Sequence, residues 1–133
     1  MYKLFTDGGA RGNPGPAGLG AIIFDEKDFL VSFENEFLKN ATNNQAEYLA
    51  LILGLKVAAK LKIKDLKCHL DSELAVKQIN GEYRVKNEQI AELKSMVDLE
   101  IRNFEKIEFV HIKREKNKFA DKLVNLAMDN SLK

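Results

Sequence analysis

The chain is poor in several residue types that mark particular classes of protein. Among its 133 residues there are one cysteine, two prolines and no tryptophan. A single cysteine excludes an internal disulfide framework and a cysteine-rich zinc module, which predicts a reduced, cytoplasmic protein. The longest apolar run, Tyr48 to Leu55, is too short to cross a bilayer, and the first residues lack the apolar core of a signal peptide. We therefore expect no membrane partner.

An excess of charge of one sign is also lacking. The sequence carries 21 Lys and Arg residues against 20 Asp and Glu residues, which leaves a formal net charge of +1. Bulk charge therefore does not predict a nucleic-acid-binding protein, and any basic surface has to be local. The length suits one domain, which we place over residues 1–133.

The apolar pattern predicts five strands and four helices. The predicted strands cover residues 1–6, 19–24, 29–37, 64–70 and 107–112, and the predicted helices begin at Asn43, Ser72, Glu88 and Lys118. Both prolines and six of the eight glycines lie in residues 7–20, which predicts a turn-rich loop there. The element order βββαβααβα predicts an α/β fold with a five-stranded mixed sheet flanked by helices. Strands one to three would be antiparallel, with strands four and five added in parallel.

Four carboxylates lie at predicted boundaries between elements. Asp7 ends the first strand, Glu47 opens the long helix, Asp71 ends the fourth strand, and Asp121 lies in the first turn of the last helix. Each has a structural alternative: Asp7 could initiate a turn, Asp71 could cap a helix, and Glu47 and Asp121 could complement helix N-termini.

Taken together, the four acids indicate a metal site. The first and fourth strands can lie side by side, which would bring Asp7 and Asp71 together. Carboxylates that share one place need a countercharge. All-oxygen ligation suits Mg²⁺ or Mn²⁺, and two such ions about 4 Å apart serve in-line displacement at phosphorus. The pattern therefore points to phosphodiester hydrolysis.

Four segments resemble the motifs of the ribonuclease H type 1 family, in the family's order and from end to end of the chain. They are TDGGARGNPGPAGLGA at 6–21, TNNQAEYLAL at 42–51, DSELAVKQING at 71–81 and REKNKFADKLVNLA at 114–127. The resemblance implies a single catalytic domain with the ribonuclease H-like fold. It also implies endonucleolytic cleavage of the RNA strand of RNA/DNA hybrids, leaving 5′-phosphate and 3′-hydroxyl ends. Asp7, Glu47, Asp71 and Asp121 match the family's catalytic residues, which bind two Mg²⁺ ions, with Mn²⁺ as a substitute.

Substrate contacts are predicted in the glycine-rich segment, at the start of the long helix and beside the last two acids. The predicted substrate-binding residues are Gly8, Gly9, Arg11, Gly12, Asn13, Thr42, Asn43, Asn44, Gln45, Ser72, Arg114 and Asn117. Glycines permit close approach to a sugar, and amides suit hydroxyl groups. The alternatives are a tight turn for the glycines, a capping box for Thr42 and Gln45, and a solvated face for the basic residues near Arg114.

The sequence departs from the family pattern in three places. Phe24 stands where members with a phosphate-binding pocket carry an Arg, which predicts that this chain holds the DNA strand differently. The sequence also lacks the basic, Trp-rich handle between the third and fourth motifs, and no His lies between Ile112 and Asp121, where better-known members carry a His-bearing loop. Two alternatives therefore stay open: a nuclease of the same fold that also cuts double-stranded RNA or RNA–DNA junctions, and a non-catalytic hybrid-binding module. The predicted partner is an RNA/DNA hybrid, and we expect no obligate protein partner.

Overall fold

Five strands form one mixed sheet in the computed structural model, which describes residues 1–131. The strands are β1 (Tyr2–Ala10), β2 (Gly15–Phe24), β3 (Leu30–Ala41), β4 (Asp65–Leu70) and β5 (Lys106–His111). The helices are α1 (Asn43–Lys60), α2 (Glu73–Ile79), α3 (Glu88–Ile101) and α4 (Lys118–Asn130), with one 3-10 turn at Arg114–Lys116. The strands lie in the order β3-β2-β1-β4-β5. The first three are antiparallel, and β4 and β5 are added in parallel. The predicted fold class and element order are confirmed.

The glycine-rich segment 7–20 is mostly strand, so the predicted loop is wrong. β1 continues to Ala10 and β2 begins at Gly15, which leaves residues 11–14 as the connection between them. Gly12 lies in this connection with a φ of 86°. β3 also extends beyond its predicted end, to Ala41.

Helix packing explains why glycines occur inside β2. A Cβ at Gly18 would lie 2.4 Å from the carbonyl oxygen of Val124, and a Cβ at Gly20 would lie 2.5 Å from that of Ala120. The backbone of α4 therefore packs directly on this strand, a contact that a side chain would prevent.

The main core lies between the sheet and α1, with α3 packed against α1. Leu4 of β1 faces Ile23 of β2, and both are buried on this side of the sheet. Because side chains alternate along a strand, Asp7 points with its partner Gly20 toward the opposite side, where α4 packs. Asp7 therefore lies beside the start of α4. Within residues 1–131, no helix combines the length and apolar character that a membrane crossing requires.

Local hydrogen bonds define where α1 begins. The Oγ1 atom of Thr42 accepts from the backbone N–H of Gln45 at 3.1 Å, and the Gln45 side chain accepts from the backbone N–H of Thr42 at 2.9 Å. This reciprocal pair is the capping box expected from the sequence, and it satisfies N–H groups that a helix start leaves unpaired. It also places Glu47 beyond the first turn of the helix.

Candidate active site

Parallel pairing of β1 with β4 brings two of the four acids together. Thr6 of β1 is paired with Leu70 of β4. Asp7 and Asp71 are the next residues after this pair, so they lie side by side. Glu47 reaches the same place from α1. Carboxylate oxygens of these three residues all lie within 4.8 Å of one another. The side-by-side placement predicted for the first and fourth strands is confirmed.

Three of the four structural alternatives are excluded. Asp7 lies inside β1 and initiates no turn. Glu47 lies outside the first turn of α1, and the cap of α2 is Ser72, whose Oγ accepts from Ala75 N–H at 3.2 Å. Asp121 does lie in the first turn of α4, where an acid also complements the helix dipole.

Asp121 lies near Asp7 but outside the group of three acids. It lines the same cleft but is not part of the group within 4.8 Å. Its Oδ1 lies 3.7 Å from Nη2 of Arg114, an exposed side chain that also lines the cleft. The acid cluster therefore consists of Asp7, Glu47 and Asp71, with Asp121 at its margin.

The electrostatics of this cluster favour protons or a cation. The pKa of Asp7 is raised to about 7, mainly because burial disfavours its charged form and also because Asp71 and Asp121 lie nearby. Burial and the closeness of Asp7 likewise raise the pKa of Glu47 well above its usual range. Bringing these acids together as anions is therefore unfavourable without a countercharge.

The residues present fit a divalent cation. Glu47 Oε1 accepts from the Gly8 N–H at 3.2 Å, whereas Glu47 Oε2 is buried with no hydrogen-bond partner among the described residues. Buried polar atoms normally have a hydrogen-bond partner. A buried carboxylate oxygen without one, beside two further carboxylates, is therefore suited to bind a cation. The donor set is all oxygen, which suits Mg²⁺ or Mn²⁺.

Asn117 is a hydrogen-bond partner of Asp71. Its side chain is 1% exposed. Its Nδ2 donates to Thr6 O at 2.8 Å and to Asp71 Oδ2 at 3.1 Å. We predicted a substrate contact for Asn117, but in the structure its side-chain amide donates to two other residues of the protein. Its position immediately before α4 was visible in the sequence; its burial was not.

A cleft of about 550 Å³ opens over the acid cluster. Seven of the predicted substrate-binding residues line it: Gly8, Gly9, Arg11, Asn43, Asn44, Ser72 and Arg114. Leu74, Val124, Asn125 and Met128 also line it and were missed by sequence reasoning, because helical periodicity marks such positions only as surface or core.

Some of the predicted substrate residues bind other parts of the protein. Asn13 Oδ1 accepts from the Asn43 N–H at 3.0 Å, and Asn43 Oδ1 accepts from the Ala10 N–H at 2.8 Å. These bonds tie the β1–β2 connection to the start of α1. Gly12, Asn13, Thr42 and Gln45 do not line the cleft, so their substrate contacts stay predictions.

Arg11 joins the same connection to the end of α4. Its Nη2 lies 2.7 Å from Asp129 Oδ1, in an ion pair at the surface. Because exposed pairs contribute little free energy, this contact does not fix the guanidinium, and the predicted substrate contact of Arg11 stays a prediction.

Adding a methyl group at Gly8 is expected to make the protein less stable. A Cβ there would lie 2.2 Å from the carbonyl carbon and oxygen of Ala46. We expect Gly8→Ala to lower the free energy of unfolding by at least about 1–3 kcal/mol, as overpacking does. Gly9→Ala is the matched control, because its Cβ would meet only Val124 Cγ1 at 3.9 Å. Equal denaturant midpoints for the two variants would contradict this account.

Comparison with known proteins agrees with the fold. The sequence model of a family described as reverse transcriptase-like matches residues 5–127. A bifunctional protein of Mycobacterium tuberculosis is 40% identical over 125 residues, covering 93% of this chain and 34% of its own length. The chain thus spans about a third of the length of the first curated relatives it matches.

Two solved structures are similar over almost their whole length. One is the ribonuclease H1 of the halophilic archaeon Halobacterium salinarum, 32% identical, with 97% of this chain and 98% of that chain covered and a TM-score of 0.95. The other is LC11-RNase H1 in complex with an RNA/DNA hybrid, 40% identical, with 100% of both chains covered and a TM-score of 0.93. The fold and site define the ribonuclease H-like class. The chain belongs to the reverse transcriptase-like family and to the ribonucleases H of type 1.

Proposed function

We propose that this domain is an endoribonuclease that hydrolyses the RNA strand of RNA/DNA hybrids with Mg²⁺ as cofactor, Mn²⁺ being a substitute. The observation that carries this proposal is the cluster of three carboxylates within 4.8 Å at the floor of an open cleft. A solved relative of similar length and fold is described as bound to an RNA/DNA hybrid. The products we propose have 5′-phosphate and 3′-hydroxyl ends.

In this chemistry the four acids would hold the cations. Divalent cations held at this site would supply positive charge to the attacking and leaving oxygens of an in-line displacement at phosphorus. Asp7, Glu47 and Asp71 supply the oxygens that would hold the cations, and Asp121 would complete the set from α4. Gly8 N–H orients the Glu47 carboxylate.

The cleft walls supply the groups that would recognise the strand. Asn44, Ser72 and the exposed guanidinium of Arg114 line the cleft beside the acids. Arginine suits phosphate contacts because its planar fork donates several N–H groups. The backbone of β1 at Gly8 and Gly9 also lines the cleft, and no side chain there would prevent the close approach of a sugar.

A panel of end-labelled substrates tests the proposal. We expect cleavage of hybrid, and none of double-stranded DNA or single-stranded RNA, in Mg²⁺. Cleavage should vanish in EDTA and fall by more than about a hundredfold in Asp71→Asn, because even partners of metal ligands contribute ten- to a hundredfold. Glu92→Gln, an exposed acid of α3, is the control and should cut normally. Hybrid binding without any cleavage would instead indicate the non-catalytic module.

Double-stranded RNA and RNA–DNA junctions complete the panel. Their cleavage would support the nuclease with broader substrate choice, the alternative that the absent basic handle and His loop leave open. The cytoplasmic location, the boundary of a single domain at residues 1–133 and the lack of an obligate protein partner stay predictions.

A further inference from the structure

A second cavity includes in its lining Asn117, the residue that donates a hydrogen bond to Asp71. Its volume is about 410 Å³, and it shares no lining residue with the cleft over the acids. It is lined by Phe5, Phe24, Asp28, Lys116, Asn117 and Phe119. We call these six residues the phenylalanine pocket. Nothing in the proposed cleavage reaction uses it.

The aromatic rings of the phenylalanine pocket form one connected cluster. Phe5 and Phe24 meet edge to face with their centroids 5.8 Å apart, and Phe24 and Phe119 are tilted with centroids 6.1 Å apart. His69 fixes Phe5 from the far side, stacked on its ring at 4.2 Å. Phe119 nevertheless remains 64% exposed. An apolar ring held at a cavity mouth can stack with a flat ligand.

The charges around the cavity favour an anionic group. Asp28 is already paired with Lys3 at 2.5 Å. Among the described residues, no carboxylate forms an ion pair with Lys116. Lys116 is therefore the available charge at the rim, and a phosphate is the complementary group.

Asn117 is a polar residue of the cavity lining. Its Nδ2 donates to Thr6 O and to Asp71 Oδ2, so the side chain is held in place by the protein. The aromatic lining favours a flat group, and a nucleobase with its phosphate therefore fits the cavity better than a phosphate alone.

We propose that the phenylalanine pocket binds one unpaired nucleotide, with its base against Phe24 and Phe119 and its phosphate on Lys116. The nucleotide is either free or part of a single strand that extends from a bound duplex. If the nucleotide is free, its binding does not depend on the proposed function. If it belongs to a strand that extends from a bound duplex, its binding rests on that function. Because Asn117 also donates to Asp71, an occupant of this pocket contacts the residue that positions a cluster acid.

Direct binding measurements test this site without cleavage. We would titrate AMP and a short oligoadenylate into the protein by calorimetry in EDTA, which removes the divalent cations that cleavage needs. Failure of the cleavage proposal would not change this result. We expect binding that Phe119→Ala weakens by about tenfold, the usual contribution of one base–aromatic stack. Lys116→Gln should weaken binding and reduce its dependence on salt.

A matched exposed ring provides the control. Phe29 is 67% exposed and does not line the pocket, so Phe29→Ala should bind as the wild type does. Binding of AMP alone would identify a free nucleotide as the source, and binding of the oligonucleotide alone would identify a strand. Absence of both, or equal affinity in Phe119→Ala and wild type, would overturn the proposal. Circular dichroism of each variant checks that it is folded.

Discussion

Asp7→Asn is expected to lose more than about a hundredfold in hybrid cleavage and at the same time to make the cation-free protein more stable. The loss of activity follows because Asp7 supplies an oxygen of the acid cluster, and partners of metal ligands alone contribute ten- to a hundredfold. The gain in stability follows because an amide of the same shape carries no charge into a buried site beside Asp71 and Asp121.

The pH dependence of this gain has a definite sign. The pKa of Asp7 is about 7 in the folded protein, against 3.8 as the ordinary value. Between these values the folded state binds the proton more tightly than the unfolded state, so stability falls as pH rises. The penalty is complete above about pH 7 and amounts to at most about 4 kcal/mol, at 1.36 kcal/mol per pKa unit. Asp7→Asn lacks this penalty.

Thermal unfolding in EDTA measures the effect between about pH 5 and 8, the range around the pKa of Asp7 in the folded protein. The difference between Asp7→Asn and wild type should grow with pH, and Mg²⁺ should shrink it by stabilising only the wild type. Glu92→Gln removes one exposed charge elsewhere and should follow the wild type at every pH. A variant as active as the wild type, or one less stable at the upper end of this pH range, would refute the role given to Asp7.

The placement of the acids could be predicted because it depends on features that a sequence displays. Asp7 and Asp71 follow strand patterns, and Glu47 and Asp121 lie near helix starts. Such boundaries meet at one edge of an α/β sheet. That Asp121 lies outside the group within 4.8 Å could not be predicted, because its place depends on how α4 packs on β2.

The glycine-rich segment shows why composition misled us. Glycine signals a turn, but it also occurs where a helix backbone lies against a strand, as Gly18 and Gly20 do beneath α4. Only the tertiary contact separates the two cases. Asn13 and Asn43 suit a substrate hydroxyl in sequence, and in the structure their side-chain oxygens accept from the protein's own backbone, so their substrate contacts stay predictions.

Asn117→Ala is expected to reduce hybrid cleavage by about ten- to a hundredfold, although Asn117 holds no cation itself. Its Nδ2 donates to Asp71 Oδ2, and outer partners of this kind typically contribute that much to metal affinity or activity. The variant also leaves Thr6 O without its buried donor, which we expect to lower the free energy of unfolding by about 1–3 kcal/mol.

The dependence of activity on Mg²⁺ concentration separates positioning from mere destabilisation. If Asn117 orients Asp71, the Mg²⁺ concentration for half-maximal cleavage should rise in Asn117→Ala, even at temperatures where the variant is fully folded. Asn35→Ala is the control, because Asn35 Nδ2 also donates to a backbone carbonyl, that of Leu123 at 3.2 Å, but donates to none of the acids of the cluster. An unchanged Mg²⁺ midpoint in Asn117→Ala would mean that this amide supports the fold alone and that Asp71 keeps its orientation without it.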